Sequence, residues 1–97
     1  MHYDHVFTPF TFGNVTVKNR IVVPPMLACM ASADGFVTPE LISFYKSFAK
    51  GGAGMVIIGD AATDFEYARG HNSQLNLGDD RATIGLYQLT RAIKTYD

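Results

Sequence analysis

Two kinds of hydrophobic pattern alternate along the chain. Phe10-Thr11-Phe12 and Val15-Thr16-Val17 alternate apolar and polar residues on either side of Gly13-Asn14. This predicts a hairpin closed by a two-residue primed turn, because Gly takes positive φ without a Cβ clash and Asn tolerates it. Phe10, Phe12, Val15 and Val17 then share one face, and the hairpin can cap one end of the sheet that follows. Ile21 to Val23, closed by Pro24 and Pro25, is an unbroken apolar run, and Met55 to Ile58 repeats it. Such runs suit parallel strands covered on both faces. Arg20, directly before the first run, is expected to reach solvent or a carboxylate.

Between the runs, Leu41, Phe44, Tyr45, Phe48 and Ala49 follow the i, i+3, i+4, i+7, i+8 spacing of an amphipathic helix. Thr38 is placed as its N-cap, Pro39 as its first helical residue and Glu40 in its first turn. Lys50-Gly51-Gly52 supplies a cation for the last turn and a glycine for the left-handed cap. The unit is βαβ, which requires parallel strands and an apolar helical face laid on the sheet. Gly59-Asp60 then opens a long connection to about Asp80, and loops of such length are functional or mobile. Asp79 or Asp80 caps a final helix whose apolar face is Ala82, Leu86, Leu89, Ile93 and Tyr96. By this alternation a strand is the next element expected.

Composition narrows the function. The 97 residues are 47% hydrophobic and 18% charged, an ordinary globular balance that fills at most one domain, 1–97. A net charge of -1 with no basic run gives no footprint for nucleic acid or anionic lipid. Met1 to His5 lacks the basic region and apolar core of a leader, and Pro24 and Pro25 interrupt the longest apolar stretch, so a cytoplasmic protein without a membrane segment is expected. One cysteine and three scattered histidines offer no metal-ligand spacing. The plain reading of Cys29 is a small, partly buried apolar residue.

Candidate chemistry sits in the loops. Met26 to Val37 is apolar but unperiodic, as core packing by soft side chains would be. It also leaves the C-terminal end of the first parallel strand, where α/β folds carry ligand sites. Gly51-Gly52-Ala53-Gly54 is not read as a phosphate loop, because it precedes a strand instead of opening a helix.

Phe7-x-Pro9 before a hairpin, Lys18-Asn19-Arg20-Ile21-Val22, Pro25-Met26, Asp34-Gly35-x-x-Thr38 and Lys50-Gly51-Gly52-Ala53-Gly54-Met55 together resemble the N-terminus of the Old Yellow Enzyme family of FMN oxidoreductases. The resemblance covers nearly the whole chain. It implies an α/β fold, the N-terminal part of a (β/α)8 TIM barrel, comprising the hairpin and two βα units. Since a barrel needs about 250 residues, the rest of it would be required. The Gly59-Asp60 ending resembles the dienoyl-CoA reductase and bile-acid-inducible reductase branch, whose longer members add a 4Fe-4S cluster and FAD.

Carried over by position, the resemblance makes Pro24, Pro25, Met26 and Leu27 neighbours of the FMN ring, chiefly through backbone atoms, and brings Gly59 and Asp60 to its pyrimidine side. Gly59 would allow close backbone approach, its plainer reading being a strand end, and Asp60 could equally be a solvated loop carboxylate. Many members have Cys or Thr where Leu27 stands, and Leu cannot donate a hydrogen bond to tune the flavin. The family's substrate-holding and proton-donating residues match no position here, so no catalytic residue is assigned. The implied reaction passes hydride from NAD(P)H through FMN to an electron-poor alkene, such as an unsaturated carbonyl or enoyl-CoA compound. An unrelated (β/α)8 enzyme and a non-catalytic fragment or assembly module are the competing readings.

Overall fold

The computed structural model describes residues 3–96. Met1, His2 and Asp97, the ends of the single domain expected over 1–97, lie outside them. A short 3-10 turn, Asp4–Phe7, leads into β1 (Phe10–Phe12) and β2 (Val15–Val17), followed by β3 (Val22–Val23), α1 (Pro39–Lys50), β4 (Met55–Val56), β5 (Ala61–Ala62), β6 (Leu75–Asn76) and α2 (Ala82–Lys94).

The hairpin forms as its alternation predicts. Phe10 lies opposite Val17, Thr11 opposite Thr16 and Phe12 opposite Val15, so the four apolar residues share one face. The two threonine hydroxyls hydrogen-bond at 2.8 Å on the other face. Gly13 has φ of +59° while Asn14 stays negative, the II′ form of primed turn. The apolar face borders a hollow of about 320 Å³ with Val22 and Met55, at the entrance to the parallel strands. Arg20 reaches solvent, as expected, and its guanidinium also lies 5.1 Å from the Phe10 ring centroid, a cation-π contact. A Cβ on Gly13 would meet nothing within 4 Å, so replacing Gly13 by Val is opposed by backbone conformation alone, at roughly 1–2 kcal/mol. Lost hydrogen-exchange protection across Thr11 and Thr16 is the expected readout.

β3 and β4 pair in parallel, Val22 with Met55 and Val23 with Val56. Bonds from Met55 N–H to Ile21 O (3.2 Å) and from Ile57 N–H to Val23 O (3.0 Å) continue the ladder at both ends. The expected cover on both faces is not what the structure shows. Val23 is buried, whereas Ile21, Val22 and Ile57 are 38–46% exposed. For Val22 and Ile57 the physical reason lies in the alternation of strand side chains: Val56 and Ile58 face the helices and pack against the core, and no described layer covers the opposite face, while Ile21 shares the face of Val23 but stands ahead of β3.

α1 begins as its sequence predicts. The Thr38 side chain accepts the Leu41 N–H at 3.1 Å, and Gly52, at φ of +106°, turns the chain back toward β4. Leu41, Tyr45 and Ala49 are buried. Leu41 and Tyr45 form the core with Leu75 and Leu89, and Met30, Ala28 and Ala31 of the loop after β3 pack against it. Within that loop Cys29 departs from its expected burial. It is exposed and has φ of +57°, because the packing direction is taken by Ala28 and Met30 on either side.

The connection from Gly59 to Asp80 is less irregular than its composition suggests. It contains β5 and β6, paired in parallel as Ala61 with Leu75 and Ala62 with Asn76. Hydrogen bonds from Ala31 N–H to Ser73 O and from Asn76 N–H to Gly35 O lace it to the loop after β3. Before α2, the Asp79 carboxylate accepts the Arg81 N–H at 2.9 Å. The side-chain hydrogen bond from Arg81, with the backbone one, holds the Asp79 carboxyl below its ordinary value. Arg81 is the N-cap and makes no side-chain capping bond, so Asp79 organises the turn from two residues before it.

Candidate flavin-binding edge

The candidate residues lie where the parallel pair ends. Pro24 and Pro25 follow β3 and fix extended backbone that cannot donate to the ladder. Gly59 lies three residues past β4, and the segments leaving the two strands touch: a Cβ on Gly59 would stand 2.9 Å from the Pro25 Cβ. The missing side chain at Gly59 is therefore explained within the chain by Pro25. Gly59 is buried, and both of its main-chain groups meet one side chain. Tyr45 Oη donates to the Gly59 carbonyl at 2.7 Å and accepts the Gly59 N–H at 3.2 Å.

Main-chain groups of the neighbouring strand end are disposed differently. Among the described residues, none hydrogen-bonds with the N–H or C=O of Met26 and Leu27, or with the carbonyls of Pro24 and Pro25. Pro24, Pro25 and Leu27 are exposed and Met26 is half-buried, so these two donors and four acceptors are open to water or to a ligand. The Leu27 side chain is 63% exposed beside them. Two donors and several acceptors along an extended backbone, with an apolar side chain alongside, suit the edge and face of a planar heteroaromatic ring such as an isoalloxazine.

Asp60 is not the freely solvated carboxylate of its plainer reading. Its Oδ1 lies 3.1 Å from His71 Nε2, and its Oδ2 accepts from Gln74 Nε2 at 3.2 Å. Gln74 is buried, and its Oε1 takes the Gly70 N–H at 2.5 Å. Tyr45, His71 and Gln74 thus brace the site although sequence reasoning gave them no part in it. Tyr45 was legible only as a core position on a helix face. A polar Gln74 beside the apolar Leu75, in a long loop, was the available signal for the other two. Among the described residues, no group of three or more His, Cys, Asp or Glu could hold a metal ion, and no helix is long and apolar enough to cross a membrane.

The sequence profile of the NADH:flavin oxidoreductase / NADH oxidase family matches residues 5–97. The chain belongs to this family. Its members are NAD(P)H-dependent flavin oxidoreductases, and it is the Old Yellow Enzyme family that the motifs resemble. An NADH oxidase of Thermoanaerobacter brockii is 35% identical over 95 residues, covering 98% of this chain and 15% of that protein. The structure of a 2-naphthoyl-CoA reductase in complex with 2-naphthoyl-CoA superposes with a TM-score of 0.92 at 27% identity, covering 98% of this chain and 14% of the other. An old yellow enzyme from Trypanosoma cruzi superposes with a TM-score of 0.83 at 22% identity, covering 96% and 24%. The family fold is a TIM barrel, of which this chain has the N-terminal portion. It spans 15% of the length of the first of these relatives.

Proposed function

We propose that this chain forms the flavin-ring edge of a single FMN-binding barrel domain that reduces electron-poor alkenes with NAD(P)H. The observation that carries this reading is the row of unpartnered main-chain groups from Pro24 to Leu27. Met26 and Leu27 would hold FMN through their N–H groups, and the Pro24 and Pro25 carbonyls would accept from it. When bound, FMN would supply hydride transfer between nicotinamide and alkene. The chain's own part is to orient the ring. Pro25 against Gly59 fixes the spacing of the two strand ends, and Tyr45 anchors Gly59 from the core. The similarity to a 2-naphthoyl-CoA reductase favours an unsaturated thioester or carbonyl compound as substrate.

The phosphate of a barrel-bound cofactor is usually gripped by loops after the seventh and eighth strands, which this chain does not encode. FMN titrated into the 97-residue chain should accordingly leave flavin fluorescence nearly unchanged at micromolar concentration. A complete barrel carrying the chain should quench or shift that fluorescence and oxidise NAD(P)H in the presence of an unsaturated ketone. Micromolar binding with turnover by the isolated chain, or no FMN binding by the complete barrel, would overturn the reading.

A further inference from the structure

One peptide unit in the loop after β3 is held at both ends by two different parts of the chain. The Met30 carbonyl accepts the Thr38 hydroxyl at 2.5 Å, and the N–H of the same peptide, on Ala31, donates to Ser73 O at 3.1 Å. Its plane is therefore fixed. Thr38 stands at the start of α1 and Ser73 lies between β5 and β6, so the clamp ties this loop both to the helix that follows it and to the loop beyond β4. Toward Thr38 the loop is pinned again: Ser32 O accepts the Gly35 N–H at 2.9 Å, the Gly35 carbonyl accepts the Asn76 N–H at 2.9 Å, and Ser32 Oγ accepts the Phe36 N–H at 3.0 Å. Toward β3 it is bare. Beyond the unpartnered groups of Pro24 to Leu27, the main chain of Ala28 and Cys29 also finds no hydrogen-bond partner among the described residues. The Met30–Ala31 peptide is thus the first hydrogen-bonded point after β3.

A helix cap needs only an acceptor, which Asp or Asn supplies as well as Thr does. Thr38 does more. The Leu41 N–H can only donate and the Met30 carbonyl can only accept, so the single hydroxyl proton points at Met30 while the oxygen caps α1. We propose that Thr38 is a positioning residue whose hydroxyl, by clamping the Met30–Ala31 peptide, sets the course of the unbonded main chain from Pro24 to Cys29 toward its ligand. The inference rests on the flavin-edge reading above and gives Thr38 no contact with the ring. Fixing the far end of a bare segment before the ligand arrives lowers the ordering cost of binding.

Substitution separates capping from clamping. Thr38→Asp keeps an acceptor for the Leu41 N–H and removes the proton given to Met30, whereas Thr38→Ser keeps both. In the complete barrel without FMN, the Ala31 amide should exchange about five- to tenfold faster in T38D, the scale of one hydrogen bond, and at the wild-type rate in T38S. FMN binding should weaken in T38D by a similar factor with a shifted flavin absorption band, and T38S should restore both. Thr38→Val removes cap and clamp together, so it should match T38D in Ala31 exchange and FMN affinity while unfolding at a lower midpoint. Where T38D does not fold, T38V against T38S makes the same comparison. Unchanged Ala31 exchange or wild-type FMN affinity in T38D, losses in T38S equal to those in T38D, or FMN losses that follow the unfolding midpoint across the three variants would each overturn the inference. Absence of FMN binding by the unaltered barrel would overturn the functional reading and this inference with it, whereas normal binding by T38D overturns this inference alone.

Discussion

Replacing Tyr45 by Ala is expected to cost about 3–5 kcal/mol of stability, as truncation of a buried aromatic does. Tyr45 is fully buried, sits in one core cluster with Leu41, Leu75 and Leu89, and meets the Phe44 ring edge-on at 5.2 Å. That core joins both helices to β6, so the cavity would open where the layers meet. Tyr45→Phe isolates the hydroxyl. It leaves the ring in place and strips the buried Gly59 of the partner to both its N–H and its C=O. Unsatisfied buried groups cost about 1–3 kcal/mol, so Y45F should be clearly destabilised. Its FMN affinity should fall too, because the β4 end of the site loses its anchor. Urea unfolding of the complete barrel checks both variants, and a Y45F midpoint equal to the wild type would contradict the role given to the hydroxyl.

The second large effect is expected at Gly54. A Cβ there would stand 2.5 Å from Asn19 Oδ1 and 2.6 Å from the Asn19 main-chain oxygen, and a backbone atom cannot rotate away. Asn19 is buried and stitches the strand entrances together. Its Nδ2 donates to Gly52 O at 2.7 Å, and its Oδ1 accepts the Ile21 N–H at 3.0 Å. Gly54→Val would push β4 from β3 and break these bonds along with Gly54 N–H to Ile21 O. Overpacking of about 1–3 kcal/mol adds to roughly 1 kcal/mol per lost hydrogen bond. An insoluble or non-cooperatively unfolding variant is the expected outcome, seen by circular dichroism on heating. Wild-type melting would show that the strand entrances tolerate separation.

Legibility followed the range over which each signal acts. α1 could be read because Thr38, Pro39, Glu40 and the apolar spacing all act within a few residues, and its cap bond confirms them. The hairpin was legible for the same reason, through Gly13-Asn14 and its flanks. The β5–β6 pair was not. Ala61-Ala62 is too short for any period, and its partner lies 14 residues on, so only tertiary placement reveals it. The strands' burial is not legible in the sequence, because an apolar run says what a residue can pack against but not what covers it, and Val22 and Ile57 have no described layer over them. For the candidate site, the chain positions of Pro24 to Leu27 and of Gly59-Asp60 were readable from motifs. The contacts that set their geometry were not, since Pro25 meets Gly59, and His71 and Gln74 reach back to Asp60, across long separations.

If the free main-chain groups after β3 receive the flavin ring, a crystal structure of the complete barrel soaked with FMN should show them in contact with it. The predicted result is an isoalloxazine hydrogen-bonded to the N–H of Met26 or Leu27 with Gly59 and Asp60 at its pyrimidine side. An isoalloxazine bound elsewhere, with Pro24 to Leu27 contacting only solvent, would contradict it.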